Sequence, residues 1–217
     1  MPEQKVSFLL LFTSFCLVSF GQFTTITPKA GSTFSKARNF IFEREHFKPG
    51  ILIGVEADYK LSSKLLLQPE LVFEQKGTLQ KVEGVNENGH PIGAVKGFYI
   101  CNYIGIPLIL KYKPFAKNQI YFLGGGYANF LVSEIRRVKY TEAGETHDDK
   151  ENTDISGYGR WDAGFQAGAG IDIPAGKKNF IRIEARYAFA INLGGSTMPP
   201  ATDTFLLSAG YAFNFMK

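Results

Sequence analysis

The sequence predicts an all-β protein, an eight-stranded antiparallel up-and-down transmembrane β-barrel that follows a cleaved N-terminal signal peptide. Three observations lead to this prediction. Apolar and polar residues alternate with period 2 in six segments of the chain, as they do in strands with one apolar face. Short turns and long polar connections follow one another strictly along the chain. The apolar faces place aromatic side chains at both ends of the strands, where lipid meets water.

The N-terminal segment has the composition of a signal peptide. A lysine precedes an apolar run at residues 6–18, and the run closes on small residues that a signal peptidase would recognise. The run is too short to span a bilayer as a helix, which takes roughly 20 residues. We therefore expect residues 1–21 to be removed and residues 22–217 to form one domain. Cys101 would then be the only cysteine, which excludes an intramolecular disulfide.

Eight strands are predicted from the alternation. In the segment 51–60, for example, Ile51, Ile53 and Val55 alternate with polar or small residues. The faces of the segment 120–136 cannot be assigned, because three consecutive glycines interrupt its pattern. The predicted strands cover residues 24–35, 51–60, 65–76, 98–112, 120–136, 162–173, 181–189 and 205–215.

The connections are of two kinds. Short turns are predicted at 61–63, 113–119 and 174–179. In an up-and-down barrel, strict alternation places every long connection at one rim, so we expect extracellular loops there and both termini in the periplasm of a Gram-negative cell. The long connections are residues 36–49, 77–97, 137–160 and 192–203.

The direction in which the charged face of the strands points distinguishes two kinds of barrel. A soluble barrel of the lipocalin type would turn charges to water and bury the apolar face. In a membrane barrel the charges must face the interior, because Lys or Arg at the bilayer midplane costs about 2–4 kcal/mol. The polar face carries Glu56, Asp58, Glu70, Glu74, Lys111, Asp162, Asp172, Arg182, Glu184 and Arg186.

Aromatic positions favour the membrane barrel. Aromatic residues end the apolar faces on both sides, which predicts two girdles. One girdle would contain Phe73, Phe98, Trp161, Phe189 and Phe205 beside the long connections, and the other Tyr59 and Tyr112 beside the turns. We therefore expect Leu67, Leu71, Ile106, Leu108, Ile183 and Ala209 to face lipid, and Gln68, Glu70, Lys111, Glu184 and Ser208 to face the interior.

The interior is expected to be filled. Eight strands leave space for side chains but not for a water channel. We expect a structural cluster of ion pairs in the lumen instead of a pore. Its predicted members are Glu70, Lys111, Arg182, Glu184 and Arg186.

The strands also resemble those of the PorT-like outer-membrane β-barrel family, a group of small barrels of the OmpA/OmpX type. The resemblance rests on four segments, LQPEL at 67–71, IGIPLILKY at 104–112, EARY at 184–187 and GYAF at 210–213. It implies a small barrel without catalysis and contact with outer-membrane lipid. It also implies recognition of the final strand by the barrel-assembly machinery during insertion, although this chain ends in Met-Lys and not in an aromatic residue.

Few residues suggest chemistry at the rim. His46, His90 and His147 fall in three different long connections and could converge on a metal, although lone loop histidines are more often simply solvated. The carboxylates Asp148, Asp149, Glu151 and Asp154 could hold Ca²⁺ but lack the regular spacing of a calcium loop.

Three classes of function stay open on this basis. The first is a structural or partner-binding outer-membrane protein, related to secretion or to the envelope. The second is a barrel that binds a small ligand or a metal, and the third is a hydrolase or acyltransferase with a site at the rim. The first is favoured, since no motif for catalysis or for a cofactor is found. Interleaved acids and bases, with a net charge of only +4, argue against nucleic-acid binding.

Overall fold

The computed structural model describes residues 23–38, 45–85, 91–114, 119–142, 145–157, 159–191 and 201–215. The predicted signal peptide lies outside these residues. No helix in this part of the chain is long and apolar enough to cross a membrane. The strands are β1 (Phe23–Ala37), β2 (Glu45–His46), β3 (Lys48–Lys60), β4 (Leu65–Val85), β5 (Pro91–Tyr112), β6 (Ile120–Glu142), β7 (Glu145–Asn152), β8 (Trp161–Ala175), β9 (Asn179–Ile191) and β10 (Thr202–Asn214).

Eight long strands close into a ring. Their order around the ring is β1, β3, β4, β5, β6, β8, β9 and β10, and every neighbouring pair is antiparallel. The ring closes between the first and last strands, where Ala30 pairs with Ala209. The predicted fold class is therefore confirmed. Closure leaves none of these eight strands with a free edge along its paired length.

The two faces of the strands differ as the alternation predicts. Ile106, Leu108 and Leu71 are 64%, 51% and 54% exposed, whereas Gln68 and Lys111 are fully buried. Large apolar side chains thus cover the outside and charged side chains fill the inside. A soluble barrel has the reverse arrangement, and an apolar surface that surrounds the whole ring needs lipid around it.

A β-bulge reverses the facing of β6. Leu131 pairs with Tyr103 and Ser133 with Asn102, so Val132 is an extra residue without a partner on β5. Odd-numbered residues face the interior before the bulge, and even-numbered residues do so beyond it. The alternation therefore reverses at Val132, in addition to being blurred by the glycines at 124–126, so no single parity holds along this strand.

Two of the predicted long loops are largely strand. β4 and β5 form one long hairpin through most of 77–97, and β6 turns back as β7 within 137–160. The short strand β2 pairs with β4 at Leu79 and Gln80. These segments form a five-stranded extension above the ring, ordered β2-β4-β5-β6-β7, which we call the rim sheet. The prediction of loops was wrong here, because polar strands solvated on both faces show no hydrophobic period.

Aromatic side chains line both ends of the apolar exterior. Near the rim sheet end, Phe205 pairs with both Phe34 and Tyr187. Near the turns, the rings of Phe23 and Tyr59 lie 5.3 Å apart. Such bands sit at the two interfaces of a bilayer, where amphipathic rings contact both headgroups and lipid chains.

Candidate functional site

A layer of charged side chains fills the middle of the barrel. It is held by inward positions on β1, β3, β4, β5, β6, β8 and β9, and its side chains are almost completely shielded from solvent. We call this group the lumen cluster. Its members are Lys29, Glu56, Asp58, Gln68, Glu70, Lys111, Tyr121, Asp172, Arg182, Glu184 and Arg186.

Arg182 connects three carboxylates. Its Nη1 donates to Glu56 Oε1 at 2.6 Å, its Nη2 to Asp58 Oδ2 at 2.8 Å, and its Nε to Asp172 Oδ1 at 2.8 Å. The guanidinium is planar with fixed donors, so it fixes all three carboxylates in relation to one another. The contacts tie β9 to β3 across the lumen and to its neighbour β8.

Arg186 and Lys29 share the next carboxylates. Arg186 Nη2 lies 2.6 Å from Glu70 Oε1 and also contacts Glu184. Lys29 Nζ lies 2.7 Å from Glu70 Oε2 and 2.8 Å from Glu56 Oε2. Each carboxylate in this part of the lumen thus accepts from at least one cation, as buried charges require.

Tyr121 packs over the other end of the cluster. Its hydroxyl donates to Glu184 at 2.9 Å, and the Nζ of Lys111 lies 4.6 Å from its ring centroid. Lys111 also pairs with Asp58 at 2.9 Å. The ring lies against Gly170 on β8, where any Cβ would overlap it. Glycine at this position therefore makes room for the tyrosine that closes the layer.

The charges of the cluster balance. Five carboxylates face four buried cations, and Lys113 at the turn rim supplies a fifth through a 2.8 Å contact to Asp172. Oxygens of Glu56, Glu70 and Glu184 lie within 4.8 Å of one another, a spacing that could hold a metal ion. Lys29 and the two arginines already neutralise these three carboxylates, so an ion would have to displace them.

A second polar group lies nearer the rim sheet. Lys76 Nζ is 3.0 Å from Asp162 and 3.3 Å from Glu74, and it lies 4.4 Å from the ring centroid of Tyr127. The amide of Asn129 donates to Asp162 at 3.3 Å. The lumen is therefore obstructed at two levels, which favours a sealed barrel over a channel.

The structure brings together all five residues that the sequence suggested for the lumen. They are Glu70, Lys111, Arg182, Glu184 and Arg186, and every one of them is buried. Lys29, which links β1 to the cluster, was not among the residues that the sequence predicted for the lumen. Its position gave a signal, because it alternates with the outward-facing neighbours Pro28 and Ala30 on β1.

The candidate metal ligands at the rim are separated. His46 lies on β2 and His147 on β7, with three strands of the rim sheet between them, and His90 lies outside the described residues. His147 instead stacks on Tyr140 with 4.7 Å between ring centroids. The two described histidines therefore do not share a site.

The acidic run proposed for Ca²⁺ is also divided. Asp148 accepts two hydrogen bonds of 2.6 Å from the guanidinium of Arg137, and Lys139 lies 3.0 Å away. These cations hold the pKa of the Asp148 carboxyl well below its usual range, chiefly through the hydrogen bonds of Arg137. Asp149 follows it on β7 and faces the opposite side. Asp148 thus serves the hairpin, and the described residues of this run form no group of carboxylates close enough to share a metal ion.

Two cavities open at the ends of the barrel. One, of about 250 Å³, lies in the rim sheet beside Gln80, Gly97, Phe98 and Arg136. The other, of about 220 Å³, lies at the turn rim beside Lys60 and other residues. The lumen cluster fills the interior between the two cavities and so separates them from each other.

Several solved β-barrel structures resemble this chain along most of its length. Ail, the attachment invasion locus protein of Yersinia pestis, crystallised in complex with the heparin analogue sucrose octasulfate, is 12% identical, with a TM-score of 0.43 over 88% of this chain and 99% of that chain. Neisserial surface protein A is 13% identical, with a TM-score of 0.43 over 88% and 97%. OprG from Pseudomonas aeruginosa is 10% identical, with a TM-score of 0.39 over 90% and 97%.

The sequence itself matches a family model. No curated protein matches the chain with significance. The model of the outer membrane protein beta-barrel domain matches residues 20–193, which is most of the chain and includes all strands of the ring except the last. Together with the closed ring, the apolar exterior and the charged interior, this match shows that the chain belongs to the family of outer membrane protein beta-barrel domains.

Proposed function

We propose that this protein is a sealed outer-membrane anchor that presents the rim sheet outside the cell, where it binds another protein of the envelope. The lumen cluster is the observation that carries the first part of the proposal. Arg182 alone holds three carboxylates from two other strands, so the centre of the barrel is filled by mutually fixed side chains. A filled lumen leaves the rims as the surfaces at which the protein can act.

The rim sheet supports the second part. It continues the strands of the ring for several residues beyond the aromatic girdle, as a platform rigidified by cross-strand hydrogen bonds. Its edge strand β7 carries mainly charged side chains, a composition that disfavours the addition of a further strand. A partner would therefore contact side chains of the sheet rather than extend it.

The finer parts of the proposal follow from the sequence. The long connections are extracellular and the short turns periplasmic, as in barrels of this architecture. The last strand is recognised by the barrel-assembly machinery through its aromatic residues, of which Phe213 and Phe215 are 44% and 61% exposed. The assignment to the PorT-like group rests on the four short segments quoted above. A role in secretion or in the envelope follows from that likeness, and catalysis forms no part of the proposal.

Orientation and sealing can be tested together. A single cysteine at Lys81 should react with a membrane-impermeant maleimide on intact cells, whereas one at Lys177 should react only after the cells are opened. Cys101 is buried and provides a low background. The opposite labelling pattern would show that the barrel is inserted with the rim sheet in the periplasm. In planar bilayers the purified protein should show no stable conductance, and a large steady current would contradict the sealed lumen.

Partner binding is tested in living cells. A photo-crosslinking residue at Val138, on the interior-facing side of the rim sheet, should give a defined adduct of one size. The same residue at Lys178, in the turn between β8 and β9, is the matched control at the opposite rim. Equal adducts at both positions, or none at Val138, would contradict a partner site on the rim sheet.

A further inference from the structure

The outward-facing side of the rim sheet is strongly basic. Residues paired directly across strands point to the same side of a sheet. Lys81 pairs with Lys96, and Lys96 pairs with Lys139, so three lysines stand in one row across β4, β5 and β6. Like charges directly opposite each other destabilise a sheet, so this row works against the stability of the rim sheet.

The neighbouring row adds further positive charge. Arg137 pairs with Phe98 on one side and with Lys150 on the other. The two rows together define the basic face, which consists of Lys81, Lys96, Arg137, Lys139 and Lys150. The same side carries only two carboxylates, Glu83 and Asp148, which leaves a net charge of +3.

The opposite side of the sheet has the reverse charge. On β6 and β7, between residues 134 and 151, Arg136 is the one described cation on that side, which it shares with Glu134, Asp149 and Glu151. Charges of opposite sign are thus sorted onto the two faces of one sheet. Asp148 pairs only with Arg137 and Lys139, while Lys81 and Lys96 form no ion pair with a described carboxylate.

The basic face begins directly above the aromatic girdle. Phe98 belongs to the girdle and pairs with Leu79, and Lys96 follows two residues further along β5 on the same side. Two residues correspond to roughly 7 Å along the tilted strand, so the lysine lies on the outer side of the girdle, where headgroups are expected. The basic face therefore adjoins the lipid-facing belt and would meet hydrated headgroups rather than lipid chains.

We propose that the basic face binds the phosphate groups of anionic lipids in the leaflet that surrounds the rim sheet. Lysine and arginine near a membrane surface attract anionic headgroups over about a Debye length. The row of lysines is carried by three hydrogen-bonded strands, which fix the backbone positions, so binding has to order only the side chains. This proposal is independent of the protein partner proposed above, which concerns the other side of the sheet.

The test compares two double variants of equal charge. Lys81→Gln with Lys96→Gln removes the two lysines that lack carboxylate partners, and Lys177→Gln with Lys178→Gln removes two exposed lysines at the turn rim. Native mass spectrometry of the detergent-solubilised proteins with added phosphatidic acid or phosphatidylcholine measures how many lipids each retains. Heat-modifiable gel migration checks that both variants are folded.

The expected result separates the two rims. The wild-type protein and the turn variant should retain phosphatidic acid in preference to phosphatidylcholine, and the rim variant should retain it about thirtyfold more weakly. Because the row opposes like charges, its loss should leave the barrel at least as stable. Equal retention by the rim and wild-type proteins, or an equal loss in both variants, would overturn the proposal. Displacement of the lipid by inorganic phosphate would assign the site to a free anion and would also overturn it.

Discussion

At the scale of single residues, Arg186 is a member of the lumen cluster whose removal should strongly destabilise the barrel. It is almost fully buried and contacts Glu70 and Glu184. Arg186→Ala should therefore lower the free energy of unfolding by about 3–5 kcal/mol, since it leaves buried carboxylates without their cation. Urea unfolding in detergent micelles measures this, with Trp161, the single tryptophan, as the fluorescent probe.

A double variant separates the loss of the ion pair from a general defect in packing. In the Arg186→Ala background, Glu184→Gln removes one of the unpaired charges and should recover part of the lost stability. Arg137→Ala, which removes an exposed guanidinium from the rim sheet, should leave global unfolding unchanged. A loss in the Arg137 variant equal to that in the Arg186 variant would show that the buried network has no special role.

At the scale of elements, the β6–β7 hairpin depends on a carboxylate that is charged. The pKa of Asp148 is lowered in the folded protein, so its ion pairs stabilise the hairpin fully above the unfolded value of 3.8. This contribution should be lost as the pH falls below 3.8 toward the depressed pKa of the folded state. Amide chemical shifts of β7, followed by NMR from pH 6 to pH 2, should show an acid transition within the hairpin.

The matched variant is Asp148→Asn, which cannot ionise. At pH 6 the shifts of residues next to position 148 should already resemble the acid form, and the changes that remain below pH 6 should be centred on the other carboxylates of β7. Strands of the ring serve as an internal reference, because they are held by pairing on both sides. An acid transition of the same size in the Asp148→Asn protein would assign the effect to other carboxylates of the rim sheet.

At the scale of the whole molecule, the surrounding solvent distinguishes the barrel from a soluble one. Leu108 is 51% exposed on the outer face of β5, between Phe98 and Tyr112 of the two aromatic girdles, where a membrane barrel contacts lipid. Leu108→Arg should cost about 2–4 kcal/mol near the midplane and reduce insertion into membranes. Leu61→Arg, at an exposed turn residue, should have little effect because the cost falls toward the interface.

Spin labels report the solvent directly. Labels at Leu67, Leu108 and Ile183 should be accessible to oxygen dissolved in lipid and shielded from a water-soluble quencher. A label at Ser208, which is buried and faces the interior, should be shielded from both. If the first three labels were shielded from both reagents, the apolar face would be a protein core and the membrane position would be wrong.

The sequence by itself determined the ring. Each of its strands has one face toward lipid and one toward the interior. This difference in surroundings produces the period-2 pattern, which predicts both the strands and the side to which each residue points. The inward position of Lys111 and the outward position of Leu108 followed from that alternation alone. The quoted segments also sufficed to place the chain among small outer-membrane barrels.

The tertiary structure decided what the alternation does not encode. The bulge at Val132 is a matter of pairing between two strands, and the rim sheet has water on both faces, so neither leaves a hydrophobic period in the sequence. The partners of Lys29 were likewise hidden. Its ion pairs with Glu56 and Glu70 depend on which strands the closed ring brings together across the lumen, and that is a property of the barrel and not of any one strand.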